Sequence, residues 1–313
     1  MKENFWNKLP RPFFILAPMA DVTDPPFRRI IAKYARPDVL YTEFVAADGL
    51  MHPKGREKLV KDLAYTESER PIVAQLFSSN PEKMLEAAKL VRELGFDGLD
   101  INMGCPDKSI EKQGAGAALI KDHKRAQEIL RAAQEGFQGP VSVKTRMGYS
   151  RLEEMEEWVG KLAECEPVAI TMHLRTRKEM SKVPAHWELA RTYSQMLENT
   201  SIVRVANGDV ESLAEAREKA READLDGIMI GRGIFKDVGL FAEKKFSPEE
   251  KLQILLEHTK LFEEYFAGSK SFAVMRRFFK IYTAGHPQSK ELQAELMKCE
   301  NFGEVERALG RVA

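Results

Sequence analysis

Eight times between residues 13 and 230 the chain alternates a short apolar run, rich in β-branched side chains, with a stretch of helical periodicity. The runs are Phe13 to Pro18, Val39 to Phe44, Ile72 to Leu76, Gly98 to Asn102, Val141 to Arg146, Ala169 to Leu174, Ile202 to Ala206 and Gly227 to Ile230. Runs that stay apolar on consecutive positions are what parallel strands buried on both faces require, and parallel neighbours must be joined by a crossover, commonly a helix. The pattern predicts an α/β chain, which could form an open doubly wound sheet or a closed barrel. Eight repeats, with no Gly-x-Gly-x-x-Gly after the first run, favour closure into a TIM (β/α)8 barrel.

Helix boundaries are equally readable. Asn80 is placed to cap a helix whose first position is Pro81 and whose end is marked by Gly95. Met84, Leu85, Ala88, Val91 and Leu94 line one face of that helix, which should pack on the barrel's outside. Each large side chain fully buried there contributes roughly 1.5 to 3 kcal/mol. After Phe246 the strand-like runs stop. Ser247 and Pro248 open a segment with helical periodicity only, with candidate helices Glu249 to Phe266, Ser271 to Thr283, Lys290 to Cys299 and Gly303 to Val312. Two units follow: a barrel over 1–246 and a small C-terminal all-α bundle over 247–313. The length of 313 residues suits a barrel of about 250 residues with such an appendage.

Composition excludes little beyond disorder and a membrane span. Charged residues make up 31% and apolar ones 43%, a globular balance. Lysine plus arginine equals aspartate plus glutamate at 48 each, so a polyanionic partner must be argued from local features. The early apolar run is broken by Pro18 and preceded by Pro10 and Pro12, unlike a signal peptide or membrane helix. Cys105, Cys165 and Cys299 are too far apart for a zinc site or a CxxC pair, which predicts no metal and a reducing cytoplasm.

In a barrel of this class, polar residues at the carboxyl ends of the strands face one mouth. Strand seven ends in Asn207-Gly208-Asp209 and strand eight in Gly231-Arg232-Gly233, where glycines admit an anion close to backbone and Arg232 adds charge; this is the common phosphate site of the fold. Gln75, Lys144 and His173, ending strands three, five and six, should converge beside it and suit a flat heteroaromatic ring. Cys105 lies in a Gly-Cys-Pro turn before the small-residue loop Gly114 to Ala117, placed to donate a proton rather than to fill a core, the reading that suits Cys165 and Cys299.

Taken in order, Ala17-Pro18-Met19-Ala20-Asp21-Val22-Thr23-Asp24 with Pro26-Phe27-Arg28, Thr42-Glu43, Gln75, Asn102-Met103-Gly104-Cys105-Pro106, Lys144-Thr145-Arg146, His173-Leu174-Arg175-Thr176, Asn207-Gly208-Asp209 and Gly231-Arg232 closely resemble the tRNA-dihydrouridine synthase family, flavoenzymes that reduce uridine to 5,6-dihydrouridine in folded RNA. The resemblance spans nearly the whole chain. It implies FMN, with Pro18, Met19, Ala20, Gln75, Lys144 and His173 around the ring and Asn207, Gly208, Asp209, Gly231 and Arg232 toward the phosphate. It also implies NADPH as reductant, hydride delivery to C6 of a uracil, a proton from Cys105 to C5, and a uracil held by Asn102, Arg146 and Arg175. The partner it implies is tRNA, gripped by the C-terminal helices, with a monomer sufficient for the chemistry.

Lys270, Arg276, Arg277 and Lys280 alternate there with Phe272, Phe278, Phe279 and Tyr282. The expected division is aromatics inward and basic groups partly toward phosphate. Asp21 stands where this family often has glycine, and 178–187 departs from its usual form. Two other readings remain: an FMN barrel acting on small molecules, such as a dihydroorotate dehydrogenase or ene-reductase, and a nucleic-acid-binding protein that keeps the barrel but has lost turnover.

Overall fold

The computed structural model describes residues 4–311. Eight parallel strands, β1 (Phe13–Leu16), β2 (Leu40–Ala46), β3 (Ile72–Phe77), β4 (Gly98–Met103), β5 (Val141–Arg146), β6 (Ala169–His173), β7 (Val203–Asn207) and β8 (Gly227–Ile230), lie in the order β1-β8-β7-β6-β5-β4-β3-β2. The sheet closes between β1 and β2. Ile15 bridges Val39, the Leu16 N–H donates to the Val39 carbonyl (3.3 Å), and the Asp38 N–H donates to that of Phe14 (3.0 Å). All eight expected runs are strands, with ends that agree to within two residues; β1 stops at Leu16, before Pro18, which has no N–H for the ladder.

Side chains alternating inward fill the barrel's lower half. Phe13, Ile15, Tyr41, Val73, Val205 and Met229 pack there with Trp6, which closes the amino-terminal end. Gly227 is required at this level: a Cβ on it would lie 2.2 Å from the Phe13 ring. With that end filled by apolar side chains, the mouth at the carboxyl ends is where polar side chains gather.

Outside, helix Pro81–Glu93 is capped by Asn80, whose side chain accepts from the Lys83 N–H at 3.2 Å, and buries Met84, Ala88 and Val91 together with Ala87 and Leu90. Leu85 and Leu94 are only half-buried. Beyond residue 247 the described residues are helical, beginning with Pro248–Phe266 behind a Ser247/Glu250 capping box. The single helix expected from Ser271 to Thr283 is instead a 3₁₀ segment, Phe272–Arg277, followed by helix Phe279–Thr283. Threefold winding eclipses positions three apart, and it turns Met275 and Phe278 inward together. Helices Ser289–Leu296 and Phe302–Gly310 complete the segment; Val312, the expected end of the last one, lies outside the described residues. These helices are not an independent ball. Ile254, Leu255, Phe262 and Phe278 share one apolar core with Phe27, Ile30 and Ile31 of helix Pro25–Tyr34, and the Phe27 and Phe278 rings lie 4.8 Å apart. No helix among the described residues is long and apolar enough to cross a membrane.

Candidate active site

The mouth holds a cavity of about 550 Å³ whose wall includes Pro18, Met19, Lys144, His173, Arg175, Asn207, Gly208, Asp209, Gly231 and Arg232. Register explains the gathering. Arg146 pairs with His173 and His173 with Asn207 across neighbouring strands, so these residues stand at one level of the mouth, and residues two apart on a strand share its face. Ser181, Glu211 and Lys236 also line the cavity; they come from loops, where no periodicity marks them.

One end of this cavity brings together cations and open backbone that could hold an anion. Arg175 and Arg232 both reach the Asp209 carboxylate, the latter at 3.1 Å, and Lys236, paired with Glu211 at 3.5 Å, is also on the wall. Gly208, at φ +149°, leaves no room for a side chain, since a Cβ would lie 2.7 Å from that of Ala185. At Gly231 a Cβ would have only Ala17 and Met19 near it, at 3.6 Å, and these also line the cavity, so the missing side chain leaves space open to a ligand. The segment after β8 is one 3₁₀ turn, Arg232–Phe235, so arginine side chains and bare backbone form this end rather than a full helix.

Lys144 and His173 sit deeper. Burial, reinforced by the Arg146 charge, pulls the Lys144 ammonium down to about 8, and its one hydrogen-bond partner among the described residues is Asn207 Oδ1 at 3.4 Å. Burial first, then the neighbouring cations, hold the imidazole of His173 far below its ordinary range. Its Nε2 lies 3.1 Å from Arg175 Nη1. A guanidinium only donates, so Nε2 accepts and the neutral ring carries its proton on Nδ1.

Gln75 on β3 and Asn102 on β4, expected at the flavin ring and at the uracil, are fully or nearly buried and off the cavity wall, and form a floor beside it. Asn102 Oδ1 accepts from the N–H groups of Gly104 (3.1 Å) and Cys105 (2.9 Å), while its Nδ2 donates to Gln75 Oε1 (3.0 Å). Arg146, expected at a uracil, donates to three carbonyls, those of Gly104, Thr176 and Met180, and so ties the Cys105 turn to the loop after β6. Cys105 is half-buried against Phe77, Ile110 and Ala115, on the loop after β4 and off the cavity wall. Burial raises its thiol, which keeps the proton on sulfur. Gly116, at φ +61°, lets the loop fold back on it; a Cβ there would lie 2.7 Å from the Cys105 carbonyl oxygen.

Two members of the floor escaped sequence reasoning. Asp100 accepts from Gln75 Nε2 (2.7 Å) and from Ser142 Oγ (2.6 Å) in the middle of the barrel. Burial raises its carboxyl from an ordinary 3.8 to about 6. The folded value lies above the unfolded one, so the native state keeps a proton that the unfolded chain releases, and stability falls as pH rises through about 4 to 6. Asp100→Asn removes that penalty: its stability relative to the parent should climb by about 2–3 kcal/mol between pH 4 and pH 7 in denaturant titrations. A pH-independent difference would place this carboxyl in the ordinary range.

The first loop and the C-terminal segment meet at the rim. Asp21 adopts the left-handed φ of 54° that its usual family counterpart, glycine, takes freely, and its N–H donates to Glu43 Oε1. Ala20 is exposed, off the cavity wall, with its carbonyl accepting from Arg277 Nη1 at 3.3 Å. Phe278, Phe279 and Tyr282 point inward. Lys270 does not face solvent as a phosphate contact would: its ammonium is held by Asp21 (3.2 Å), Glu43 (3.7 Å) and Asp24 (3.8 Å), because the turn before Phe272 docks against the first loop.

A family model described as dihydrouridine synthase matches residues 15–312, covering the barrel and the C-terminal helices alike. The chain belongs to the dihydrouridine synthase family. Relatives agree: a probable tRNA-dihydrouridine synthase of Staphylococcus epidermidis is 41% identical over 99% of this chain and 96% of its own length. The probable tRNA-dihydrouridine synthase 2 of Bacillus subtilis is also 41% identical, over the same shares of the two chains. Among solved structures, a histamine dehydrogenase from Rhizobium sp. 4-9 superposes with a TM-score of 0.54 at 12% identity, covering 79% of this chain and 48% of that one. A 2-naphthoyl-CoA reductase gives 0.56 at 11%, covering 74% and 49%. The chain spans about half the length of these two, and at such identities they speak for the fold alone. The chain is an enzyme of a family defined by dihydrouridine formation, as the sequence motifs implied.

Proposed function

We propose that the protein reduces uridines of tRNA to 5,6-dihydrouridine, using FMN in the barrel mouth, NADPH as the source of electrons and Cys105 as the acid. The observation that carries this reading is the pairing of a cavity lined by Lys144, His173, Arg175 and Arg232 with a half-buried Cys105 thiol, kept protonated by burial, on the loop after β4. The residues fit FMN. Arg175 and Arg232 supply charge for its phosphate where Gly231 leaves space, and Lys144, with one long protein hydrogen bond, has donors to spare for the ring. Bound there, FMN supplies hydride to C6 of the uracil.

The rest falls to the chain. Cys105 gives its proton to C5, and the turn built by Asn102 and Arg146 holds it. Arg175, expected at the uracil, belongs with the phosphate group of residues by its bonds to Asp209 and His173. A uridine in folded RNA must leave its stack to enter the mouth, at a cost of a few kcal/mol that contacts elsewhere offset. Arg277, which reaches Ala20 and Asp21 of the first loop, and Arg276 and Lys280 of the same segment, all partly or fully exposed, are our candidates for those contacts. The reaction needs no second subunit, and we assign it to the cytoplasm.

The test is direct. Protein reconstituted with FMN and supplied with NADPH and unmodified tRNA should add two hydrogens to specific uridines, read by mass spectrometry; reduction of free small enones or orotate with none in tRNA would favour the small-molecule reading. Gly231→Leu projects a side chain into the open space and should weaken FMN binding at least about tenfold without loss of fold. Unchanged affinity, followed by flavin fluorescence, would move the phosphate elsewhere.

A further inference from the structure

The floor of the site is a hydrogen-bond chain whose direction is not free. Asp100 accepts from Ser142 with one oxygen and from Gln75 Nε2 with the other. With its nitrogen turned to Asp100, Gln75 presents Oε1 to Asn102, which must answer with Nδ2. Only then is Asn102 Oδ1 left for the backbone N–H groups of Gly104 and Cys105. Asp100 and Gln75 are wholly buried and Asn102 nearly so, so water cannot make good a wrong orientation. A carboxamide has almost the same shape either way round; nothing about its packing decides which end points where. The carboxylate, an acceptor at both oxygens, decides it.

We propose that Asp100 is a positioning residue for the acid: it sets the polarity of the chain Asp100, Gln75, Asn102 and thereby orients the Cys105 turn from the barrel floor. This rests on the reading of Cys105 above, but its consequences for the turn can be measured without turnover. Reversed, the chain would turn the Asn102 amide donors onto two N–H donors, and the turn would lose both of its bonds.

The polarity can be tested by swapping the charge along the chain. In Asn102→Asp the new carboxylate still accepts from Gly104 and Cys105, but its second oxygen meets Gln75 Oε1; with both carboxyls ionised, for which the series is run at about pH 8, Gln75 can escape only by turning its oxygen onto Asp100. Adding Asp100→Asn makes the reversed chain complete: Asp at 102 accepts from Gln75 Nε2, Gln75 Oε1 accepts from Asn at 100, whose own oxygen accepts from Ser142. Asp100→Asn alone can keep the original direction, accepting from Gln75 and donating to Ser142. We expect Asn102→Asp to slow dihydrouridine formation about 30-fold, the double variant to recover to within about fivefold of the parent, and Asp100→Asn alone to lose about threefold.

The second readout is alkylation of the Cys105 thiol by iodoacetamide in the protein without tRNA, mapped by peptide mass. Asn102→Asp should raise its rate at least about fivefold as the turn opens, and the double variant should restore it. An Asn102→Asp protein that fails to fold beside a folded double variant also supports the polarity. A double variant as slow, as reactive or as unstable as Asn102→Asp overturns it, as does Asn102→Asp with parental alkylation. If the parent makes no dihydrouridine, the alkylation series still decides the role of Asp100 while the functional reading fails separately.

Discussion

Cys105→Ala protein is expected to bind FMN and to oxidise NADPH at the parental rate, yet to form dihydrouridine at least about 100-fold more slowly, the usual scale for loss of a general acid. The two halves separate because the thiol is off the wall of the cavity that would hold the flavin, while Lys144, His173 and the arginines stand on it. Burial raises the thiol above its ordinary 9.0, so the acid form persists through the neutral range and is lost only in alkaline solution. The rate of uridine reduction should therefore fall on the alkaline side in the parent, and that limb should vanish in Cys105→Ala. Dihydrouridine formed at a near-parental rate by the variant, in a single-turnover assay with pre-reduced protein, would place the acid elsewhere.

What could be read before folding follows from where the information lies. The strands were legible because burial on both faces leaves a continuous apolar run, and the mouth residues because a barrel sends strand ends to one place. Asp100 and Ser142 were not: a polar residue in mid-strand looks like an interruption until cross-strand register sets Gln75 beside Asp100. Arg175 reads as one more strand-end cation, and only the folding of the loop after β6 brings it to Asp209. Lys270 belongs to a basic run whose pattern predicts contacts partly toward phosphate. Its partners, Asp21, Asp24 and Glu43, lie more than two hundred positions away in sequence, and no local pattern could have found them. The same distance hid the docking of the C-terminal helices on Phe27.

That docking bears on stability. Arg28→Met is expected to cost about 3–5 kcal/mol in denaturant titrations, and Glu69→Gln a similar amount, because each leaves its partner's charge buried and unpaired. Both side chains are completely buried, with Arg28 Nε donating to Glu69 Oε2 at 2.8 Å. Arg28 Nη1 donates to the Thr23 carbonyl (2.7 Å) and Nη2 to that of Ala64 (2.5 Å), while Glu69 Oε1 accepts from the Thr66 N–H (2.8 Å). Every strong group is satisfied, so removing one partner strands the rest. The double variant Arg28→Met/Glu69→Gln should cost clearly less than the sum of the two, since no lone charge remains.

Arg28 also reaches the site. Thr23, whose carbonyl it holds, accepts from the Met19 N–H through Oγ1 at 3.0 Å, so the guanidinium anchors the loop that carries Pro18 and Met19 to the cavity. FMN affinity should weaken with stability in Arg28→Met. Helix Pro25–Tyr34 thus carries the buried ion pair, the cavity's first loop and, through Phe27, the platform for the C-terminal helices. Removing those helices would bare that platform, so charge reversal of Arg276 and Lys280 on the intact chain is the cleaner test of RNA contact. Single losses below about 1 kcal/mol would mean that water reaches the pair, and would free the first loop from Arg28.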